Sequence, residues 1–244
     1  MLKKIKYIIK DFCLFLKNPS NRESEKLNFF YYVMAFAIVI LVAGIIRIGV
    51  PIIFTIFDVP TIPNKPSDIQ PIPIGWFVLL ATFIAPLSEE LAFRYPLKYT
   101  KNSLFIGFVA FIFINFVTNQ YAASKLVHTT YNFQESLPYL LCYFAIALLI
   151  FILTRFEKIN KYLSQFWNKY LIFIVYIFAA YFAYRHMPIP KTGINWLWLP
   201  ILVFPQFLMA LYFSYIRLRV KFIYCIFLHM IVNGFTTLPL LLNI

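Results

Sequence analysis

Apolar residues fall in seven long runs, at about 29–50, 74–97, 103–118, 137–154, 170–186, 197–215 and 221–242, with polar stretches between them. The runs are apolar on every side rather than along one stripe, which is the pattern of helices with apolar surroundings all round. A span of about 30 Å of bilayer hydrocarbon takes roughly 17–25 helical residues, and the runs match that length. Only a helix or a closed barrel satisfies every backbone N–H and C=O inside lipid. The pattern therefore predicts an all-α, polytopic transmembrane helical bundle of about seven spans. One membrane domain, 29–244, follows a basic segment at 1–28. Five prolines (Pro60, Pro63, Pro66, Pro71, Pro73) make 58–73 an extended loop outside the membrane. Residues 119–136 are polar enough for a second outer loop or a short re-entrant piece. No internal repeat or low-complexity tract is evident.

Composition supports this reading. Apolar residues make up 62% of the 244 and charged residues 13%, against about 25% charged in an ordinary soluble chain. The formal net charge of +13 would fit nucleic acid if the basic residues formed one patch, but their placement excludes that partner. Seven of the 22 Lys and Arg lie in 1–28, three in 94–101, four in 155–169 and three in 217–221. Those segments are alternate connections, and the others are nearly neutral. That is the asymmetry of the positive-inside rule, with the N-terminus and every basic loop in the cytoplasm and the C-terminus outside. The N-terminal cluster also suits an anionic lipid surface. Three scattered cysteines (Cys13, Cys142, Cys225) give no disulfide framework or paired metal motif. Residues 1–28 are too polar and too long to read as a signal-peptide n-region.

Ionisable groups inside a membrane are costly and mark function by default. The segment Ala85-Pro86-Leu87-Ser88-Glu89-Glu90-Leu91-Ala92-Phe93-Arg94 places two acids and an arginine on the second span. Glu90 and Arg94 are four apart, on one face, with the acid first, the favourable order for an ion pair. Glu89 is turned about 100° round the helix and has no cation at helical spacing. Two further pairs share i, i+4 spacing: Phe182 with His186, and His229 with Asn233. The second pair can direct donors at one oxygen atom, as an oxyanion site does. Cys225 also lies four before His229, but a buried cysteine is most often a packing residue.

EExxxR, FxxxH and HxxxN, in that order on separate helices, resemble the CPBP family, which groups the type II CAAX prenyl endopeptidases with bacteriocin-processing and abortive-infection membrane proteins. The stretch Phe204-Pro205-Gln206-Phe207, with Tyr215-Ile216-Arg217-Leu218-Arg219 after it, is similar as well. The resemblance covers about 74–234. It implies a glutamate-dependent intramembrane endopeptidase in the cell membrane, acting on peptide, lipidated or leader-bearing substrates. In that scheme Glu89 and His186 activate a water, His229 and Asn233 stabilise the oxyanion, and Glu90, Arg94 and Phe182 support them. No resident cofactor is implied. One Glu and two His would also make a zinc set with an open position, although no HExxH helix is present.

The chain departs from the family pattern between the first two motifs. Arg94 and His186 are 92 positions apart, and the runs at 103–118 and 137–154 fill the gap as two extra helices. An even number of helices preserves the orientation of the next one. Asn115, in Phe111-Ile112-Phe113-Ile114-Asn115, is a rival for the second motif, and His128 is a third candidate. His186 is preferred because an imidazole exchanges protons with a carboxylate near neutral pH and an amide does not. At 1.5 Å per residue, His229 lies about 12 Å past Lys221 and His186 about 25 Å past Lys169, so convergence requires the fifth span to tilt or to begin late. A non-catalytic scaffold or immunity protein, using the same cluster as structural glue, is the alternative.

Overall fold

The computed structural model describes residues 1–20, 27–56, 74–126, 133–186 and 199–242, and they form helices with no strand among them. The proline-rich loop expected at 58–73 and the candidate His128 lie outside the described residues. In order, the helices are α1 (Leu2–Lys17), α2 (Phe29–Ile56), α3 (Ile74–Leu79), α4 (Ala85–Phe93), α5 (Ser103–Leu126), α6 (Phe133–Leu153), α7 (Glu157–Lys169), α8 (Leu171–Arg185), α9 (Leu199–Arg219) and α10 (Phe222–Leu242). A π-helical turn, Leu80–Ile84, joins α3 to α4, and a 3₁₀ turn, Tyr95–Leu97, follows α4. Three helical stretches are long and apolar enough to cross a membrane: Phe29–Ile46, Ile74–Leu97 and Pro200–Arg219. A fourth forms if α6 and α7, bent 103° at their junction, count as one span. The apolar stretches Ser103–Asn115 of α5, Leu171–Arg185 of α8 and Phe222–Thr237 of α10 are shorter. Large side chains such as Leu41, Phe144 and Ile177 are each more than 55% exposed. In water that much exposed apolar surface is a liability, but facing lipid it is not.

The chain divides into two compact units. The first comprises Met1–Phe77 and Ile172–Tyr224. In it α2 packs along α9, and α1 lies on both. Residues 1–17 therefore form a helix rather than only a charged tail. Ile5, Ile8, Phe12 and Phe15 recur at helical spacing and are buried, while Lys3, Lys6, Lys10 and Lys17 remain outside. Aromatic rings fill the joint. Phe36 stacks on Tyr212 at 5.1 Å, Phe12 meets the same ring edge-on at 5.1 Å, and the Tyr212 hydroxyl donates to the Tyr32 carbonyl at 2.9 Å. The Asp11 carboxylate accepts from Tyr215 Oη at 3.1 Å and faces Arg219 Nε at 3.9 Å. The charged end of α9 is thus neutralised by the one acid of α1.

The second unit comprises Val78–Leu171 and Cys225–Ile244. Here α5 packs against α4 and α6. Thr100 and Ser103 cap the start of α5 reciprocally: Thr100 N–H donates to Ser103 Oγ at 2.8 Å, and Ser103 N–H donates to Thr100 Oγ1 at 3.1 Å. The segment 119–136, read above as a loop or re-entrant piece, is helical over 119–126, where α5 continues, and again from 133. The basic stretch 155–169, read as a loop, contains α7. Tyr99 Oη donates to Asn160 Oδ1 at 2.9 Å, and burial pushes the Tyr99 phenol above its usual pKa, so it stays a neutral donor.

Gly107 allows the closest approach in this unit. A Cβ there would lie 2.2 Å from Cγ of Pro96 in the 3₁₀ turn and 3.4 Å from the Leu91 carbonyl oxygen. Neither the proline ring nor the backbone can swing aside. Gly107→Ala is expected to push α5 off the end of α4 and to cost about 1–3 kcal/mol, the usual range for overpacking a tight contact. Denaturant titration in detergent micelles measures it, and a stability equal to the parent's would contradict the contact.

Candidate functional site

The second span is not a uniform helix. At the π turn, Ala85 N–H donates to Leu80 C=O, five residues back rather than four. The next residue, Pro86, has no N–H to give. The Ala81 carbonyl, whose partner at the same offset would be residue 86, is left without an intrahelical donor. Asn233 supplies one: its Nδ2 donates to Ala81 O at 2.9 Å. One turn further along α10, Thr237 Oγ1 donates to the Asn233 carbonyl at 2.8 Å and lies 3.0 Å from the buried Thr82 Oγ1. His229, Asn233 and Thr237 are spaced i, i+4, i+8, so one face of α10 carries these three polar groups to the second span. Thr237 was missed from the sequence, although continuing the HxxxN interval by four residues finds it.

The charged centre lies one turn before Asn233. Glu90 is fully buried, Arg94 is 1% exposed and His229 3% exposed. Arg94 Nη1 stands 3.5 Å from Glu90 Oε1, so the i, i+4 pair expected from the sequence is present. The same oxygen is 2.9 Å from His229 Nδ1. A carboxylate oxygen accepts, so Nδ1 carries a hydrogen, which Glu90 holds in place. That leaves Nε2 facing Glu89, whose Oε2 is 3.7 Å away. Glu89 therefore has a potential cation beside it, contributed by α10 rather than by its own helix. The spacing is too long for a direct hydrogen bond and suits a shared contact with a third polar atom. The Glu89 side chain is 14% exposed, more than the others of the cluster. The Glu90 side chain has its second oxygen, Oε2, buried without a hydrogen bond among the described residues.

The structure brings together Glu89, Glu90, Arg94 and His229, with Asn233 one turn away. His186 belongs to the first unit, at the exposed C-terminal end of α8. Its Nδ1 donates to the Phe182 carbonyl at 2.8 Å, and its ring lies 4.4 Å from the buried Phe182 ring. The FxxxH spacing thus makes a local contact within one helix end. Asn115, the rival, donates from Nδ2 to the Phe111 carbonyl of its own helix at 2.8 Å. Cys225 is buried. Among the described residues no three His, Cys, Asp or Glu side chains are disposed to hold a metal ion.

A buried Arg–Glu–His chain ending on a second carboxylate can do two things chemically. It can fix one imidazole nitrogen as a donor and aim the other at Glu89. It can also hold a carboxylate and an imidazole close enough to act on one water or one carbonyl group. Asn233→Ala removes the donor for the Ala81 carbonyl and is expected to destabilise the unit by about 0.6–1.7 kcal/mol, the range for interhelical hydrogen bonds in membranes. The change in unfolding free energy in micelles measures this, and a stabilised variant would deny the bond that role. Comparison of the chain with protein families, with curated proteins and with solved structures finds no match.

Proposed function

We propose that the chain is an intramembrane endopeptidase that hydrolyses peptide bonds of membrane-associated substrates with a water activated by Glu89. The observation that carries the reading is the imidazole of His229 set between two carboxylates, 2.9 Å from Glu90 and 3.7 Å from Glu89, in an apolar helical unit. The resemblance to the CPBP motifs points the same way. In this reading all seven apolar runs cross the bilayer, with the N-terminus and the basic connections in the cytoplasm.

The residues divide the work as follows. Glu89 takes a proton from water, and the resulting hydroxide attacks the scissile carbonyl carbon. The carbonyl oxygen gains negative charge, which an Nε2–H of His229 meets. Glu90 accepts from Nδ1–H and holds the ring in place, and Arg94 sets its positive charge beside Glu90. Glu89 returns its proton to the leaving amine as the C–N bond breaks. Asn233 has a second amide hydrogen, beyond the one given to Ala81, and that hydrogen is the further oxyanion donor. The resemblance adds His186 as proton partner of Glu89. Loss of activity in His186→Ala supports that role, and full activity leaves Glu89 to act as the base without it.

The test is cleavage of peptides tethered to vesicles, either lipidated or carrying a leader segment, by the full chain reconstituted in lipid. Cleavage is expected for the parent, to persist after exhaustive chelation, and to vanish in Glu89→Gln. Activity lost on chelation and restored by zinc would instead make Glu89 a ligand. A scaffold reading is favoured by the Asn233–Ala81 and Thr82–Thr237 bonds, which hold helices together and do no chemistry. It predicts no cleavage of any tethered peptide by the parent chain.

A further inference from the structure

The helix α7 has no part in the site above and carries a surface of its own. It follows α6 after a sharp bend of 103°, so it lies nearly across the direction of an apolar helix. None of its residues is buried. Ile159, Leu163 and Trp167 turn toward the rest of the unit, with Asn160 bonded to Tyr99 and the Trp167 ring 6.2 Å from that of Tyr99. Tyr162 and Phe166, four apart and hence on one face, are 65% and 55% exposed, and Phe156 just before the helix is 57% exposed. Lys158 and Lys169 flank that face at helical spacing, and Lys161 lies beyond it.

The neighbouring connection adds charge of the same sign. Arg155 donates from Nη2 to Asn102 Oδ1 at 2.8 Å, tying the start of α7 to the turn that carries Lys98 and Lys101. Across 95–103 and 154–170 there are six basic residues and one acid, Glu157. A solvated helix would not need exposed aromatic rings among those cations, and a free phosphate would give the rings nothing to contact. A bilayer surface supplies both partners, with apolar matter at the depth of the rings and headgroups at the level of the amines.

We propose that α7 lies in the plane of the membrane as an anionic-lipid-binding helix. Tyr162 and Phe166 enter the headgroup–acyl boundary, and Lys158, Lys161 and Lys169, with Arg155 and Lys101 beside them, hold acidic headgroups. The clamp through Asn102 and Asn160 fastens this helix to the turn that follows Glu89, Glu90 and Arg94.

The experiment uses the full chain with Tyr162→Cys carrying a fluorophore. Cys13 and Cys142 are changed to Ser, and Cys225, being buried, is shielded from labelling. The protein is reconstituted in vesicles of phosphatidylcholine and phosphatidylglycerol, and its incorporation is checked by flotation. A headgroup-level quencher is carried on either lipid at equal amount. Phosphatidylglycerol is expected to quench about threefold better than phosphatidylcholine, a conservative share of what several surface cations supply. Lys158→Gln/Lys161→Gln/Lys169→Gln, with Arg155 and Lys101 kept, should bring the ratio most of the way to one while quenching persists, because Phe156 and Phe166 still hold the helix down. Equal quenching by the two lipids in the parent overturns the anionic preference. No quenching by either, in protein that floats with the vesicles, overturns the in-plane placement, as does a label shielded only when an acidic polypeptide is added.

Discussion

Glu89→Gln is expected to lower the hydrolysis of a tethered peptide by about 10²–10⁴-fold, the usual contribution of a positioned general base, and to leave helix content and unfolding midpoint unchanged. Glutamine keeps the shape of the side chain and its ability to accept a hydrogen bond. What it loses is the capacity to take a proton from water and return it to the leaving amine. Stability should hold because Glu89 is the least buried acid of the cluster, 14% exposed, and its 3.7 Å approach to His229 is not a direct hydrogen bond. The loss should appear in kcat, since the proton transfer is made only on the way to the transition state. Glu89→Asp is a finer probe. It keeps the base but withdraws it by one methylene from Nε2 of His229, and a misplacement of that size can cost about 10²-fold. Initial rates with one substrate, alongside circular dichroism and a melt, check both. A Glu89→Gln chain within a few-fold of the parent would end the hydrolase reading.

Much of the site was legible because helical periodicity fixes faces. EExxxR places Glu90 and not Glu89 beside Arg94, and the structure shows that pair at 3.5 Å. HxxxN places His229 and Asn233 on one face, which is where they lie. What periodicity does not give is the partner on another helix. Nothing in the spacing says that Nδ1 of His229 meets Glu90, or that Asn233 meets a carbonyl instead of projecting both amide hydrogens into a cavity. The signal for the second was present in Pro86, since a proline within a span removes a donor and leaves a carbonyl to be satisfied. Its exact partner depends on the π turn, which shifts the register by one residue.

The basic segments were misread for a different reason. Residues 1–17 and 157–169 both combine a lysine cluster with apolar residues at helical spacing. The positive-inside rule counts the charge and is indifferent to the periodicity, so the first reads as a basic segment and the second as a loop. Ile5, Ile8, Phe12 and Phe15 in the first, and Ile159, Leu163 and Trp167 in the second, carry the helical spacing that distinguishes an amphipathic helix from a connection. The seven apolar runs correspond to helices in the structure, and among the described residues three or four of these meet the length and composition of a span.

Glu90→Ala is expected to destabilise the protein by about 3–5 kcal/mol, the typical result of removing one partner from a buried ionic group. The carboxylate faces Arg94, 1% exposed, and His229, 3% exposed, and one oxygen serves both. Its removal leaves the guanidinium in a low-dielectric site without the charge placed to balance it, and frees the imidazole to turn. Glu90→Gln should fall between, since an amide oxygen still accepts from Nδ1–H but brings no charge to Arg94. The decisive comparison is Glu90→Leu/Arg94→Leu. Replacing a buried ion pair by apolar residues of similar volume is often neutral or stabilising by about 1–4 kcal/mol, so this double variant should fold at least as well as Glu90→Ala folds badly. If Glu90 serves only to hold α4 against α10 through His229, cleavage by the double variant should match the parent's. If Glu90 holds the Nδ1–H of His229 and so directs the ring, as the 2.9 Å contact implies, the well-folded double variant should still lose most of its activity. Unfolding titrations in micelles and cleavage rates on the same preparations separate the two outcomes.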